Sequence, residues 1–526
     1  MKFIRRHIIP LLFAITSYAI LLLHADYLFA LQDNSIFIGG RTFMRETLMY
    51  PTGLWSWMGC WLTQFFYLPW LGAAVMVALW VLTYYLLIWA TGLKNWRRIF
   101  AVVPQALMLY TLLCLGYWMF YGKTPGIAFV PTLVLLAAAT LTCAIMKAPH
   151  LFAVLGGERV SGKLRREDIK FPPIKGKAGR GLFSYMLLIP LYIVLCPSLT
   201  LKSVTLPDSR LKSELRMYRA IDECRWNDVL KDFHTTDRPT NLMVLYKNIA
   251  LMHTNRLQDM FKEGNCGYWP KPTVKAFSSD TLQLHISQLA APMVYYQYGQ
   301  LNYAYRWAIE NSVEYGQSVR NVKTLVRCAI MNQEFDVAYK YITMLKTTLF
   351  HKEWAKQQEA MLSSSTALLQ SAEFQNIAPL MNDEGNLLDA DDGLCEKWIL
   401  DHFADLIQAT SPKLEEVIIT TSLWTKDEYA FAFHFYNYIN RHPNEPIPLL
   451  YQEAAILLCN NESSPLSLNQ FPFDNIISDK YNRFVQDYNQ LATQRLSDEE
   501  MAKRLKPLYG DTYWWYYYFY TDFQIY

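Results

Sequence analysis

The sequence predicts an all-α protein, an N-terminal transmembrane helix bundle followed by a soluble tetratricopeptide-like α-helical array, on three observations. Long apolar runs fill the first part and end with residues 182–199 (LFSYMLLIPLYIVLCPSL), eighteen positions without a charged side chain. That is near the length a helix needs to cross roughly 30 Å of hydrocarbon. No such run recurs later, and the later part carries a helical pattern repeating at 34 residues.

Composition agrees with two unlike halves. At 526 residues, 52% apolar and 15% aromatic, the chain is too long for one domain and too apolar for an ordinary soluble protein. The net charge of +3 hides basic clusters confined to a few short segments. Without a general basic excess interleaved with stacking aromatics, nucleic acid is not an expected partner. The nine cysteines are scattered with no C-x-x-C pair, so neither a disulfide framework nor a zinc site is suggested, and no metal or cofactor is expected.

In chain order, the basic start MKFIRRH precedes an apolar stretch at 8–31, too long for a signal-peptide core, which reads as an uncleaved first span. Apolar segments follow at 54–68, 70–93, 99–121 and 126–146. If all of them cross together with 182–199, the cytoplasmic side holds 4 Lys and Arg against 14 outside. If 54–68 (LWSWMGCWLTQFFYL) lies in the interface instead, the cytoplasmic side holds 15 against 3. Cytoplasmic excess of Lys and Arg is the dominant topological signal, so five crossings are expected. The short, Trp-rich segment suits the headgroup level.

The expected organisation is transmembrane helices over 1–148 with an interfacial segment at 54–68, and a basic cytoplasmic loop over 149–181. A last transmembrane helix at 182–199 and a helical repeat-like domain over 208–526 complete it. An odd number of crossings from a cytoplasmic N-terminus places that domain across the membrane, in the periplasm if the membrane is a bacterial inner membrane.

Within it, YYQYGQLNYAYRWAIEN and AIMNQEFDVAYKYITML align Leu301 with Phe335 and Ala304 with Ala338, each pair 34 apart. Small residues suit the close approach of two helices, and Gly299 marks the first turn where Gln333 stands in the second. Weaker copies around Trp226 and Leu257 give irregular spacings of 31 and 44. Ser497-Asp-Glu-Glu500 reads as a capping box opening a further helix. Residues 363–392 and 460–473 read as loops. The closing TYWWYYYFY is expected to pack inward as the last helix. A stacked array has a groove for a partner, so Tyr295, Tyr298, Tyr305 and Trp307 are candidate contacts for an envelope protein or polymer.

The strings WLTQFFYLPWLGAAV (61–75) and YGDTYWWYYYF (509–519) resemble an uncharacterised family of bacterial multi-spanning membrane proteins, classed only as a domain of unknown function. The resemblance covers nearly the whole chain. It implies an envelope protein with a helical repeat region and brings no catalytic residues.

The leading reading is therefore a scaffold or adaptor, with the lipid bilayer and an envelope partner as its contacts, rather than an enzyme. The alternative is a membrane glycosyltransferase using a polyprenyl-phosphate sugar, with Asp26 or Asp33 in the first outer loop as base and Arg41 and Arg45 holding a lipid phosphate. No Gly-rich phosphate loop, H-E-x-x-H pair or G-x-S-x-G elbow occurs. The near absence of ionisable groups inside the apolar runs disfavours a transporter.

Overall fold

Helix ends fall where the sequence offers a break. The computed structural model describes residues 2–49, 52–93, 95–114, 118–121, 126–155, 209–236, 239–262, 281–382, 409–459 and 473–519. Among them every regular element is a helix. Two units emerge. Unit 1 is Met1–Asp208 with Val313–Arg320 and Met344–Ala355, and unit 2 is Ser209–Ser312, Asn321–Thr343 and Lys356–Tyr526.

Unit 1 contains α1 (Lys2–Leu23), α2 (Ala25–Asp33), α3 (Arg41–Leu48), α4 (Gly53–Thr63), α5 (Pro69–Thr91), α6 (Val103–Cys114), α7 (Trp118–Tyr121) and α8 (Val130–Leu155). Pro69 opens α5, where a missing N–H costs nothing, and Gly92 closes it with a left-handed φ of 64°. His7 Nδ1 meets Tyr85 OH at 2.7 Å and Phe13 packs on Trp80, so α1 and α5 are antiparallel. Trp80 Nε1 donates to Thr132 Oγ1 at 2.9 Å and Cys143 Sγ to Leu86 O at 3.5 Å, so α8 runs with α5. Ala101 packs with Tyr84 and Leu87 while Tyr27 OH donates to Leu112 O at 2.9 Å, so α6 runs with α1. His7, Tyr85 and Cys143 thus mark one end of the bundle, and α2 and the 3-10 turn Gln64–Tyr67 the other. At that second end α4 touches the turn before α8 through Gly59 and Gly126. A Cβ on either would run into the other's backbone, and Gly126 has φ of +67°.

Among the described residues, α5 alone is long and apolar enough to cross a membrane as one helix, while α1 qualifies only jointly with α2, bent from it by 71°. The apolar part of α8, Val130–Ala144, is shorter, and α6 stops after 12 residues. The transmembrane bundle expected from the sequence is therefore not drawn as five long helices. Residues 54–68 form α4 and the 3-10 turn, after which the chain reverses at Leu68. The start of the expected 149–181 loop continues α8 to Leu155. The rest of that loop and the run at 182–199 lie outside the described residues.

Unit 2 is built from helical hairpins that share one turn. Its first helices are α9 (Ser209–Asp222), α10 (Trp226–His234) and α11 (Asn241–His253), then α12 (Thr281–Gln297), α13 (Leu301–Tyr315), α14 (Val319–Met331) and α15 (Phe335–Lys346). There follow α16 (Lys352–Leu362), α17 (Ser365–Gln370), α18 (Ala372–Ile377), α19 (Pro412–Trp424) and α20 (Glu428–Arg441). Cys224, Asn255, Gly299, Gln333 and Lys426 all adopt left-handed φ, between 55° and 75°, two residues before the next helix opens. In each, the following N–H donates to the carbonyl five positions back (Arg225 to Ala220, Arg256 to Leu251, Gln300 to Tyr295, Glu334 to Ala329, Asp427 to Ser422) at 2.7–2.9 Å. The left-handed residue's own N–H donates three back at 3.0–3.3 Å. These are Schellman turns, which satisfy carbonyls the helix leaves open.

The 34-residue alignment is a real structural register. Gly299 and Gln333 occupy equivalent turns, Leu301 and Phe335 open the following helices, and Ala304 and Ala338 are fully buried. Leu301 is buried but Phe335 is 41% exposed, so only the first covers a hydrophobic face. In the expected loop at 363–392, residues 363–382 hold α17, α18 and a 3-10 turn, Ala378–Leu380, while 383–392, like 460–472 of the other expected loop, lie outside the described residues. Ser364 caps rather than uncoils, its Oγ accepting the Ala367 N–H at 3.2 Å, and Ile377 and Leu380 enter the core.

Asp222, at the foot of α9, is tied to Arg327 (2.5 Å) and Lys323 (3.2 Å) of α14, and Arg327 also reaches Glu373 at 2.8 Å. Burial alone would raise its pKa, but the two cations hold the carboxyl below the usual carboxylate range. Toward the C-terminus lie α21 (Leu449–Cys459), α22 (Asn475–Ala492), α23 (Asp498–Tyr509) and α24 (Tyr513–Phe519). Ser497 Oγ accepts the Glu500 N–H at 3.3 Å, as the capping box predicts. The aromatic run packs inward, with Tyr513, Trp514, Trp515, Tyr516 and Phe519 buried. Its hydroxyls serve the end of α19: Tyr513 OH donates to Leu423 O at 3.1 Å and Tyr516 OH to Trp424 O at 2.6 Å. Glu453 of α21 accepts the Tyr513 N–H at 2.9 Å.

Two outcomes follow for the full chain. Gly299→Ala would place a Cβ 2.7 Å from the Leu380 carbonyl in a left-handed backbone and should lose about 2 kcal/mol or more in urea unfolding, whereas Gln333→Gly, at an exposed turn, should gain about 1 kcal/mol. Equal effects of the two would contradict the shared turn. Burial pushes the Glu453 carboxyl up to about 7 from an ordinary 4.5, although the Tyr513 N–H opposes the rise. The folded state then holds the proton more tightly, so stability should fall as pH rises from about 4.5 to about 7, by something on the order of 3 kcal/mol. Glu453→Gln should flatten that slope in melts at pH 5 and pH 8.

Candidate functional site

Buried polar groups inside an apolar bundle need partners, and unit 1 collects them at the α2 end. Asp33, the last residue of α2, pairs through Oδ2 with Arg320 Nε at 3.2 Å, both side chains more than nine-tenths buried. Beside it Gln32 Nε2 lies 2.8 Å from His351 Nε2 and 3.4 Å from Gln64 Oε1. An amide nitrogen only donates, so the imidazole Nε2 is the acceptor there. Gln64 Nε2 donates to Cys60 O at 3.2 Å and to Ser35 Oγ at 3.3 Å. All six polar side chains are buried. Tyr67 stacks on Phe350 at 5.1 Å and meets His351 edge-on, giving the cluster an aromatic wall.

Arg320 and His351 come from the segments Val313–Arg320 and Met344–Ala355, far along the chain, and both belong to unit 1. Nothing local marks them: one sits in VRNVKTLVRC and the other between Phe350 and Lys352, each readable as an ordinary helix-flanking residue. The cluster holds a carboxylate, a guanidinium, an imidazole and two amides. Each is turned toward another member, so chemically it is a joint rather than an exposed acid or base. Gln32 Oε1 alone is buried with no donor among the described residues.

The predicted site residues are divided between the two units. Asp33 is in the joint, with its lone pairs toward a guanidinium instead of an acceptor substrate. Asp26 is half-buried in the first turn of α2, where a carboxylate faces the positive end of the helix dipole. Arg41 and Arg45 are exposed on α3. Tyr295, Tyr298 and Trp307 lie in the hydrophobic core of unit 2, Tyr295 stacked on Tyr303 at 5.3 Å. Tyr305 is half-buried, its OH 3.4 Å from Tyr341 OH. Three of these four rings therefore pack inside unit 2 and do not form a contact surface. Among the described residues no group of three or more His, Cys, Asp or Glu is arranged to hold a metal.

An all-helical protein with an internally paired polar joint is the class this geometry defines. The chain belongs to the family of unknown function DUF6057, whose model matches residues 2–160 and 99–520. No curated protein and no solved structure gives a significant match.

If the joint is structural, Asp33→Asn or Arg320→Met alone should destabilise by about 3–5 kcal/mol by stranding a buried charge, while Asp33→Leu with Arg320→Met should recover most of it. Thermal melts of the purified full chain check this. A double variant no better than the singles would show that Asp33 acts outside the pair.

Proposed function

We propose that the protein is an integral membrane scaffold or adaptor of the bacterial inner membrane, presenting a periplasmic tetratricopeptide-like helical domain to an envelope protein or polymer. The observation that carries it is where the polar joint lies. Lys2, Arg5 and Arg6 begin α1, Arg97 and Arg98 lie between α5 and α6, and Lys147 follows Cys143 in α8, so the antiparallel packing gathers them at one end. The segments 313–320 and 344–355 from the later half of the chain are held at the opposite end, by Asp33 and Gln32. Cations stay cytoplasmic, so the later half belongs on the far side.

The outward side of α5 supports a bilayer environment. Trp70, Ala74, Ala78, Leu82, Tyr85 and Trp89 are its exposed positions, an apolar stripe with Trp at both ends. Nineteen residues at 1.5 Å each separate the two Trp, roughly 28 Å, about the thickness of the hydrocarbon layer. For a partner, unit 2 offers exposed aromatics that the core does not use: Tyr429, Phe433 and Tyr436 on one face of α20. Buried Tyr295, Tyr298 and Trp307 give way to these as contacts.

A reporter active only in the periplasm, fused after Tyr526, should be active, and cysteines placed in 156–181 should resist a membrane-impermeant label in whole cells. Activity of a cytoplasm-only reporter at Tyr526 would overturn the proposal.

A further inference from the structure

Two neighbouring cations on α3 have no partner among the described residues. Arg41 and Arg45, one turn apart on α3, are exposed, and among the described residues neither guanidinium has an ion pair or hydrogen bond. Some surface arginines pair with carboxylates, as Arg306 does with Glu310 and Arg225 with Glu223, while exposed Arg97, Arg483 and Arg495, like Arg41 and Arg45, have no ion pair among the described residues. At 100° per residue, Met44 and Leu48 fall with the two arginines inside one arc of roughly 100°. Both are exposed, at 40% and 45%, and Met49 (74%) and Leu54 (49%) continue the apolar surface. Glu46 projects well off that arc. The opposite face is anchored, since Thr47 is buried and Phe43 packs edge-on against Phe37, which packs in turn on Trp57 of α4.

We propose that α3 is a docking site for the anionic headgroup of a membrane phospholipid, with Arg41 and Arg45 gripping the phosphate and Met44, Leu48, Met49 and Leu54 entering the acyl boundary. The inference rests on the membrane reading above. Charge complementarity selects the occupant: two unpaired guanidiniums set among exposed apolar side chains match a phosphodiester joined to hydrocarbon, whereas an acidic protein or a free phosphate would leave the four apolar side chains in water. The surface also continues an apolar one. α3 lies at the α2 end of the bundle, the end where Trp70 closes the bare stripe of α5.

The test uses the full chain in nanodiscs of phosphatidylcholine alone or with phosphatidylglycerol, with retained lipid counted by native mass spectrometry. Wild type should retain phosphatidylglycerol selectively, and Arg41→Ala/Arg45→Ala should lose that selectivity by roughly 30-fold in affinity, at about a tenfold step per 1.4 kcal/mol and about 1 kcal/mol per cation. Arg97→Ala/Arg98→Ala should leave it unchanged, and inorganic phosphate should not compete. Should the double alanine variant fail to fold, the single Arg41→Gln and Arg45→Gln variants carry the same comparison, each with a smaller loss. Selectivity that survives loss of both arginines, or competition by inorganic phosphate, would overturn the lipid site while leaving the membrane reading intact. A wild-type chain that enters neither kind of nanodisc would overturn both.

Discussion

The carbonyls at the C-terminal end of an α-helix have no donor within the helix, and unit 2 is arranged around meeting that need. Five times the chain answers with a left-handed residue whose N–H groups turn back onto the last turn. The device does more than satisfy oxygens. It ends the helix, reverses the chain within two residues and sets where the second helix of the hairpin starts. At α19 it is reinforced by the aromatic helix near the C-terminus, whose tyrosine hydroxyls take the Leu423 and Trp424 carbonyls while Lys426, the left-handed residue itself, donates to Tyr517 O at 2.8 Å. At α9 the same job falls to Arg327, which donates to the Asp222 carbonyl at 3.3 Å as well as pairing with its carboxylate.

Unit 1 meets a different constraint. Gln32, Asp33 and Gln64 are buried among apolar helices away from water, so these polar groups must find each other. Asp33 and Arg320 are 287 residues apart in sequence and 3.2 Å apart in space. The gain is in placement more than in stability, because a buried ion pair roughly offsets its own desolvation while a lone member would not. That makes the pair selective: it tolerates one arrangement of 313–320 against α2 and penalises the others.

Much of this was legible in advance, and what was not has a physical cause. The 34-residue register around Gly299 and Gln333 showed because helix openings and small residues recur with it. The turns at Cys224, Asn255 and Lys426 carry no common residue, since a left-handed cap costs a non-glycine side chain only about 1 kcal/mol and the hairpin can absorb it. Gly299 stays glycine for a second reason, the Leu380 backbone against its Cα. The inward packing of TYWWYYYFY follows from ring area, and Asp33 drew notice as an acid at the end of an apolar run. Its partner did not, because no local pattern encodes a contact made across most of the chain. Tyr295, Tyr298 and Trp307 were read as a contact surface for the opposite reason: clustered rings look alike in sequence whether they face a partner or a core, and only burial separates the two.

Exposed apolar surface differs in kind between the units, and that difference bears on function. On α5 the outward positions between Trp70 and Trp89 contain no charge at all. On α15 the exposed Phe335 and Tyr339 stand among exposed Glu334, Asp336 and Lys340. Water tolerates the second pattern, since each ring has charged neighbours and no wide bare patch forms. It tolerates the first less readily, since no charged side chain breaks the apolar stripe between the two Trp. The outward side of α5 is thus an unbroken apolar stripe, whereas the exposed rings of α15 alternate with charged side chains. Tyr429, Phe433 and Tyr436 follow a third pattern, three exposed rings sharing one face of α20 without holding the fold.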